Sequence, residues 1–294
     1  MLNVVADAAG LTDERAEAIH GACRDAVVAD QVRWLARGRA LDIGFTGDPD
    51  ALRASLREVI RDEWVLDANI VESASRHKKL LIADMDSTII ACECIDELAD
   101  QMGIKPKVAA ITERAMRGEI DFPSALRERV ALLKGLPLEA LAKVYAERVR
   151  LNPGARALTA TMRSHGAYTL LVSGGFSYFT SRVAEAAGFE NHQANRLADD
   201  GRVLTGMVVE PILGREAKLE ALRSSVVRLG ISPADVLAVG DGANDLDMIK
   251  GAGLGVAYHA KSVVAAAAAA SIAHGDLTAL LYLQGYSDAE ILRV

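Results

Sequence analysis

Four uninterrupted apolar runs constrain the fold of this chain more than any other feature. They cover residues 80–84, 168–173, 236–240 and 255–258, and most of the intervening segments show helical patterns. Continuous apolar runs of this length are typical of parallel strands that helices cover on both faces. We therefore predict an α/β fold with a doubly wound parallel sheet.

Polar side chains stand where these predicted strands end. Asp84 and Asp86 follow the first strand, Ser173 ends the second, and Asp241 and Asp245 follow the third. Each group alone is explained equally well by a turn or a solvated loop. Together they predict a ligand site, because the carboxyl ends of parallel strands form the edge where open α/β sheets bind ligands. Paired carboxylates can act as nucleophile and proton donor, and clustered aspartates suit Mg²⁺.

The rest of the chain predicts two additions to this sheet. Residues 1–75 read as βαββαβ, the order of a ferredoxin-like (ACT-like) α+β domain, and the polar stretch 72–79 reads as a linker to a second domain at 76–294. Residues from about 94 to 150 show only helical patterns, which predicts an all-helical cap insertion that can act as a lid. The alanine-rich stretch 263–273 predicts a packed helix, and 194–208 a hairpin.

The composition limits which kinds of partner and which cellular compartment we expect. The formal net charge of −7 and the isoelectric point near 5.5 argue against a nucleic-acid partner. No stretch is long and apolar enough for a membrane span, and no signal peptide is expected. Three cysteines favour a reducing cytoplasmic location. Cys92 and Cys94 are expected to pack or to line a pocket, with a redox or metal role as the alternative.

The order of the polar groups resembles that of the haloacid dehalogenase-like (HAD) phosphohydrolases. It runs Asp-x-Asp, then Ser173, then Lys218, then Gly-Asp-x-x-x-Asp. Six phrases between residues 80 and 260 closely resemble those of phosphoserine phosphatases: DMDSTII, IDELAD, RVALLKGL, VSGGF, ANRL and VGDGANDLDMI. The resemblance implies a HAD-like Rossmannoid core and hydrolysis of O-phospho-L-serine to L-serine and phosphate, the last step of L-serine biosynthesis.

The same resemblance implies roles for the reacting groups. Asp84 attacks phosphorus and becomes an aspartyl phosphate, while Asp86 protonates the leaving serine oxygen and later deprotonates water. Mg²⁺ sits on the carboxylates of Asp84 and Asp241 and on the main-chain carbonyl of Asp86, with Asp245 supporting it from nearby. The resemblance also implies that three groups meet the phosphoryl oxygens: Lys218, the Ser173 hydroxyl and the Gly174 N–H.

Substrate recognition is implied in the same way. Glu93 matches the glutamate that receives the amino group, and Arg129 matches the arginine that clamps the carboxylate. Met116 and Phe122 match apolar lid residues, and Asn244 is expected to bind substrate or the attacking water. One departure is Ser262, which stands where relatives commonly have proline.

Two other functions stay open from the sequence. A phosphotransferase of the same superfamily would pass the phosphoryl group to homoserine or another small alcohol. A non-catalytic amino-acid sensor would use the N-terminal domain to bind ligand. A small-molecule substrate is expected in the leading interpretation, and a homodimer is possible.

Overall fold

The computed structural model of the protein describes residues 1–7 and 10–294. Its described residues form sheets of four, seven and two strands. Within those same residues, none of the helices combines the length and the hydrophobicity that crossing a bilayer requires.

The N-terminal unit, which we define as residues 1–75, contains the four-stranded and two-stranded sheets. Its elements are β1 (Leu2–Ala6), α1 (Asp13–Ala26), β2 (Val28–Ala29), β3 (Arg33–Ala36), β4 (Ala40–Ile43), β5 (Phe45–Thr46), α2 (Pro49–Val59) and β6 (Leu66–Ile70).

This unit has the predicted ferredoxin-like topology. The sheet order β3-β4-β1-β6 places the first strand between the third and the last of the four main strands, with antiparallel pairing. Thr12 caps α1 by accepting a hydrogen bond from the Arg15 N–H, as its position before the apolar stripe predicts. Ile19 of α1 and Leu52 of α2 are fully buried in a core that Leu41 of β4 shares.

The remainder of the chain builds the seven-stranded sheet and its helices. Its elements are β7 (Leu80–Ala83), α3 (Cys94–Gln101), α4 (Lys105–Met116), α5 (Phe122–Ala131), α6 (Leu138–Arg148), α7 (Ala155–Ser164), β8 (Tyr168–Phe176), α8 (Ser177–Ala187), β9 (Asn191–Asp199), β10 (Leu204–Val209), α9 (Arg215–Leu229), β11 (Val236–Gly240), α10 (Leu246–Gly251), β12 (Leu254–Tyr258), α11 (Ser262–Ala265), β13 (Ala270–Ile272) and α12 (Ala279–Leu283).

The seven-stranded sheet confirms the predicted α/β class. Its order is β10-β9-β8-β7-β11-β12-β13, and every pairing is parallel except the β9–β10 hairpin. All residues of β7, β11 and β12 are buried, as expected for strands covered on both faces. Because β7 lies between β8 and β11, the order of strands along the chain reverses there, which marks the ligand-binding edge of such sheets.

Helices α3 to α6 form an insertion between β7 and α7. A bridge between Ile90 and Leu151 closes the base of this insertion, and a second bridge joins Pro137 to Val203. Its described elements are all helical, as predicted. The boundaries of the cap at about 94 and 150, and of the domains at 75/76, stay predictions.

The predicted helix over residues 263–273 is wrong. The structure has a short helix, α11, and then strand β13, which pairs in parallel with β12. Alanine favours helix, but burial of Ala270 and Ile272 at the sheet edge outweighs that local preference. A second difference concerns Ser173 and Gly174, which do not end their strand, because β8 continues through them to Phe176.

The N-terminal unit packs against the C-terminal segment through buried polar contacts. Arg76 donates to both carboxylate oxygens of Asp42, at 2.6 and 3.1 Å, and also to the carbonyl oxygens of Tyr282 and Leu283. The predicted linker 72–79 therefore connects β6 to β7, but Arg76 within it is anchored rather than free.

Strands β6 and β13 are joined by a side chain. The Asn69 amide donates to the Ser271 carbonyl oxygen at 3.0 Å and accepts from the Ser271 N–H at 2.8 Å. The neighbouring Asp67 carboxylate accepts hydrogen bonds from the backbone N–H groups of Ala273, His274 and Gly275. These contacts cover the outer edge of the seven-stranded sheet.

Candidate active site

Three aspartates from separate parts of the chain converge at the carboxyl edge of the sheet. Asp84, Asp241 and Asp245 each place one carboxylate oxygen within 4.8 Å of the others. The Lys218 ammonium lies 2.6 Å from Asp84 Oδ1 and 2.6 Å from Asp245 Oδ1. Residues up to 161 positions apart in sequence thus surround one point, as the strand-end pattern predicts.

The neighbouring strands explain this convergence. Strands β7 and β11 pair in register from Leu80 with Val236 to Ala83 with Val239, so the residues that follow each strand are neighbours. The Asp84 N–H continues this ladder by donating to the Val239 carbonyl oxygen at 3.0 Å. Gly240 lets the Asp245 carboxyl group lie against β11, since a Cβ at this position would be 2.4 Å from Asp245 Cγ.

Asp86 follows β7, and its carboxylate is held beside the neighbouring strand, β8. Its Oδ1 accepts from the Cys94 N–H at 2.8 Å and its Oδ2 from the Ser173 hydroxyl at 3.1 Å. The Gly175 N–H donates to Ser173 Oγ at 2.8 Å. A Cβ at Gly175 would lie 2.7 Å from Asp86 Oδ2, so the glycine makes room for the carboxylate. This places Asp86 and Ser173 together, as expected for a shared site.

Burial and neighbouring charges shift the pKa values of four groups at this edge: Asp84, Asp86, Asp241 and Lys218. Desolvation and then repulsion by Asp245 raise the pKa of Asp84 well above its usual value, while Lys218 opposes the shift. Desolvation also raises the pKa of Asp86, and raises that of Asp241 to about 6. Burial alone lowers the pKa of Lys218, but Asp245 and Asp84 together outweigh it and raise that pKa.

The donor set fits a hard divalent cation. Three carboxylates face one another with a single buried ammonium among them, and their mutual repulsion contributes to the raised pKa values of Asp84 and Asp241. Oxygen-only ligand sets of this kind suit Mg²⁺ and related ions rather than Zn²⁺. Asp84 and Asp241 are the residues that could hold the ion, and Asp245 lies within reach of the same point.

Two charged residues of opposite sign belong to the cap and its base: Glu93, which precedes α3, and Arg129, which lies in α5. Ser87, which has a left-handed φ of 58°, donates to Glu93 Oε1 at 2.7 Å. Glu93 keeps an exposed surface, yet surrounding protein atoms and then the charge of Asp86 raise its pKa to about 7. Desolvation lowers the pKa of Arg129, which Glu93 and Asp96 partly restore. The charges of Glu93 and Asp96 thus act on the guanidinium of Arg129 through space.

Phe122 lies over Gly174 within β8 and over Gly214, the residue that precedes α9. A Cβ at Gly174 would be 3.1 Å from Phe122 Cζ, and one at Gly214 would be 3.2 Å from Phe122 Cδ1. Met116, the other predicted lid residue, is 66% exposed, and its sulfur lies 3.5 Å from Lys261 Nζ. Asn244 turns its Oδ1 back towards Gly242 in the loop after β11.

Sequence reasoning did not single out two polar residues that support the aspartates. The Thr88 hydroxyl donates to Asp241 Oδ1 at 3.0 Å, and the Asn152 amide donates to the Thr88 carbonyl oxygen at 2.8 Å. Thr88 lies two residues after Asp86, within the DMDSTII phrase, which was the available signal. Asn152 is 64 positions away, so only the folded chain shows its role.

Comparison with protein families gives one match that spans most of the sheet. Residues 81–250 match the family described as haloacid dehalogenase-like hydrolase. These residues include Asp84, Lys218 and Asp241 and cover more than half of the chain.

Individual proteins are similar to most of this chain. A phosphoserine phosphatase of Albidiferax ferrireducens is 49% identical over 210 residues, which are 70% of this chain and 89% of the relative. A crystal structure of a HAD family hydrolase from Salmonella enterica serovar Typhi is similar with a TM-score of 0.83 and 29% identity, over 96% of this chain and 97% of that one.

A further structure is similar over nearly the whole chain. The unliganded crystal structure of a probable phosphoserine phosphatase from Vibrio cholerae has a TM-score of 0.79 and 31% identity, over 98% of this chain and 87% of that chain. The similarity in these two structures therefore includes the N-terminal unit as well as the seven-stranded sheet.

Proposed function

Because the chain belongs to the haloacid dehalogenase-like hydrolase family, we propose that it hydrolyses O-phospho-L-serine to L-serine and phosphate. The convergence of Asp84, Asp86, Ser173, Lys218 and Asp241 at one sheet edge is the observation that carries this proposal. The relative from Albidiferax ferrireducens, named phosphoserine phosphatase and 49% identical, supports the choice of substrate.

The first half of the reaction transfers the phosphoryl group to the protein. A carboxylate oxygen of Asp84 attacks phosphorus, and the bond between phosphorus and the serine oxygen breaks. Asp86 gives its proton to that oxygen, so serine leaves as the neutral alcohol. The raised pKa of Asp86 favours the protonated form that this step needs.

The second half regenerates Asp84. Asp86, now ionised, removes a proton from water, and the water oxygen attacks phosphorus. The bond between phosphorus and Asp84 breaks and phosphate leaves. Lys218 stays charged throughout because its pKa is raised, and it stabilises the negative charge on the phosphoryl oxygens together with the Ser173 hydroxyl and the Gly174 N–H.

We assign the cation to Mg²⁺, held by the carboxylates of Asp84 and Asp241 and the main-chain carbonyl of Asp86, with Asp245 nearby. When bound, this ion offsets negative charge on the phosphoryl group and on the clustered carboxylates. Asp245 then serves chiefly to hold Lys218, which it contacts at 2.6 Å, and the Gly242 N–H, which donates to it at 3.0 Å.

Serine is recognised by groups from the cap and its base. The Glu93 carboxylate receives the substrate ammonium, and the Arg129 guanidinium receives the substrate carboxylate. Phe122 and Met116 exclude water above the phosphoryl group, and Asn244 binds substrate or the attacking water. The opposite charges of Glu93 and Arg129 support this pairing, because an amino acid carries its ammonium and its carboxylate on the same carbon.

The test is phosphate release from a panel of phosphorylated metabolites, with Mg²⁺ and then with a chelator. We expect O-phospho-L-serine to give the highest kcat/KM, chelation to abolish turnover and added Mg²⁺ to restore it. Asp84→Asn is the matched control, and we expect it to lower kcat on the order of 10³-fold or more, since an amide is a poor nucleophile. Near-normal turnover by Asp84→Asn would overturn the mechanism.

The same assay separates the alternatives. A phosphotransferase would form a phosphorylated alcohol when homoserine is added, and a sensor would release no phosphate at all. The relatives named phosphoserine phosphatase do not favour either alternative. The cytoplasmic location, the absence of a nucleic-acid partner and the possible homodimer stay predictions.

A further inference from the structure

We propose that Asn195 is a positioning residue, which fixes the two backbone segments that meet the phosphoryl group of the substrate. This inference rests on the proposed function, because it takes the Gly174 N–H and Lys218 as groups that bind phosphoryl oxygens. Asn195 lies in β9 and is only 1% exposed. It is therefore a buried amide whose hydrogen bonds must all be made inside the protein.

The Asn195 side chain joins β8 to the segment that precedes α9. Its Nδ2 donates to the Gly174 carbonyl oxygen at 2.8 Å and to the Leu213 carbonyl oxygen at 3.0 Å. Its Oδ1 accepts from the Leu213 N–H at 2.7 Å. One amide thus holds three backbone groups on two segments, with no charged partner.

These hydrogen bonds lie where the regular pairing between β8 and β9 is interrupted. Along β8 and β9 the regular pairs run from Leu170 with Asn191 to Val172 with Gln193, and the register then shifts before Phe176 meets Asn195. Residues 173–175, which include the Ser173 hydroxyl and the Gly174 N–H, lie inside this irregular stretch. The Asn195 amide holds the Gly174 carbonyl oxygen there, in the same peptide group whose Gly175 N–H donates to Ser173 Oγ.

The second segment leads directly to Lys218. Leu213 precedes Gly214, which is the residue before α9, and the Lys218 N–H donates back to the Gly214 carbonyl oxygen at 3.3 Å. Holding both backbone groups of Leu213 therefore fixes where α9 begins and where the Lys218 side chain starts. Asn195 touches neither the reacting atoms nor the proposed serine-binding pair, so it acts through the groups it holds.

The experiment compares Asn195→Ala and Asn195→Asp with the wild-type protein on O-phospho-L-serine and on p-nitrophenyl phosphate. We expect kcat to fall on the order of 10- to 100-fold, as for other small misplacements of reacting groups, with KM changed less. The loss should be equal on both substrates, because Asn195 serves the phosphoryl group that they share. Asn195→Asp keeps the side-chain volume and the acceptor for Leu213 but lacks both donors.

Asn69→Ala is the matched control. Asn69 is also buried and also binds backbone through both amide atoms, at Ser271, but far from the aspartate cluster in the fold. We expect it to lower the thermal midpoint of unfolding and to leave kcat unchanged. Rates are normalised to the folded fraction measured by circular dichroism.

Three results would overturn the inference: unchanged kcat in both Asn195 variants, a loss confined to O-phospho-L-serine, or failure of both variants to fold, which would assign Asn195 to the fold alone. Failure of the proposed function is seen separately. In that case the wild-type protein would hydrolyse p-nitrophenyl phosphate but not O-phospho-L-serine, and the Asn195 comparison would still run on the former.

Discussion

At the scale of single residues, we propose that one set of groups serves the phosphoryl transfer and another set binds serine. Asp84, Asp86 and Lys218 form one hydrogen-bonded and ion-paired region with Ser173 and Asp245. Glu93, which accepts from the Ser87 hydroxyl, and Arg129, which lies in α5 of the cap, are the groups that we assign to the serine part of the substrate. A substrate that lacks the amino and carboxylate groups should therefore use only the first set.

The two sets can be tested against each other with Arg129→Ala and Glu93→Gln. Each change should lower kcat/KM for O-phospho-L-serine by roughly 10- to 100-fold, which corresponds to one lost charge-assisted hydrogen bond of about 1.5–3 kcal/mol. Steady-state kinetics on p-nitrophenyl phosphate provide the control, because that substrate has no ammonium or carboxylate to bind. Equal losses on both substrates would refute the specificity assignment.

At this scale the sequence predicted which residues meet, but not all of their supports. Asp84 and Asp241 were predictable because each follows a strand of recognisable pattern, and Lys218 was predictable from the order of the whole set of polar groups and its resemblance to the HAD phosphohydrolases. Asn152 was not predictable, and Asn195 was marked only as part of the ANRL phrase without a role, because a side chain that binds backbone carbonyl oxygens leaves no spacing signature in the sequence. Their partners lie 64 and up to 21 positions away, so the hydrogen bonds depend on the completed fold.

At the scale of elements, close packing of α10 against β12 depends on a glycine. A Cβ at Gly255 would lie 2.1 Å from the Ile249 carbonyl oxygen, which belongs to α10. Strand propensity alone would favour a larger residue at this buried position, so the helix-to-strand distance explains the glycine.

Gly255→Ala should therefore lower the free energy of unfolding by about 1–3 kcal/mol through overpacking. The matched control is Gly21→Ala in α1, where a Cβ would have nothing within 4 Å. That change should stabilise the protein by roughly 0.5–1 kcal/mol, since alanine is the better helix former. Urea unfolding measures both, and a stabilised Gly255→Ala would contradict the packing argument.

Element prediction succeeded where burial and local pattern agree. Strands β7, β8, β11 and β12 were predictable as apolar runs, and α1 from its cap and stripe. It failed over residues 263–273, where local alanine content indicates helix but the sheet recruits Ala270–Ile272 as β13. The decisive contacts, to β12 and to Asn69, come from parts of the chain that a local window does not contain.

At the scale of the whole molecule, Arg76 ties the N-terminal unit to the C-terminal segment, because it forms a buried ion pair with Asp42 and donates to the carbonyl oxygens of Tyr282 and Leu283. The side chains of Arg76 and Asp42 are 9% and 1% exposed. Breaking such a pair leaves a buried charge without a partner, whereas exposed pairs contribute little.

Arg76→Ala should lower the free energy of unfolding by roughly 3–5 kcal/mol. Arg24→Ala is the control, because its pair with Glu17 is exposed on both sides and should contribute less than about 1 kcal/mol. Chemical denaturation followed by circular dichroism gives both values. A similar small effect for the two variants would show that the ion pair does not hold the units together.

His77, the residue that follows Arg76, has a titratable ring. His77 stacks on Tyr286 with ring centroids 4.2 Å apart, beside His165. Desolvation lowers the pKa of His77; Glu290 opposes this shift, whereas His165, Arg76 and Arg33 add to it. The unfolded chain, with an ordinary histidine pKa of about 6.5, therefore binds the proton more tightly than the folded chain.

Stability should consequently be complete above about pH 7 and decrease as the pH falls from about 6.5 through the lowered pKa of His77. His77→Phe keeps a ring for stacking but cannot titrate, so its stability should fall less steeply over the same range. Urea midpoints at several pH values between 5 and 8 measure the difference. Parallel pH profiles for the two proteins would contradict the assignment.

The Asn69 contact with Ser271 has a consequence for any shortened form of the chain. The amide occupies both backbone groups that β13 turns outward, so no hydrogen-bonding positions at Ser271 remain for a strand from another molecule. Removal of the first 75 residues would remove Asn69 and leave β13 as an uncovered edge strand of the seven-stranded sheet. We therefore expect the N-terminal unit to limit self-association through this edge, whether or not it also binds a ligand.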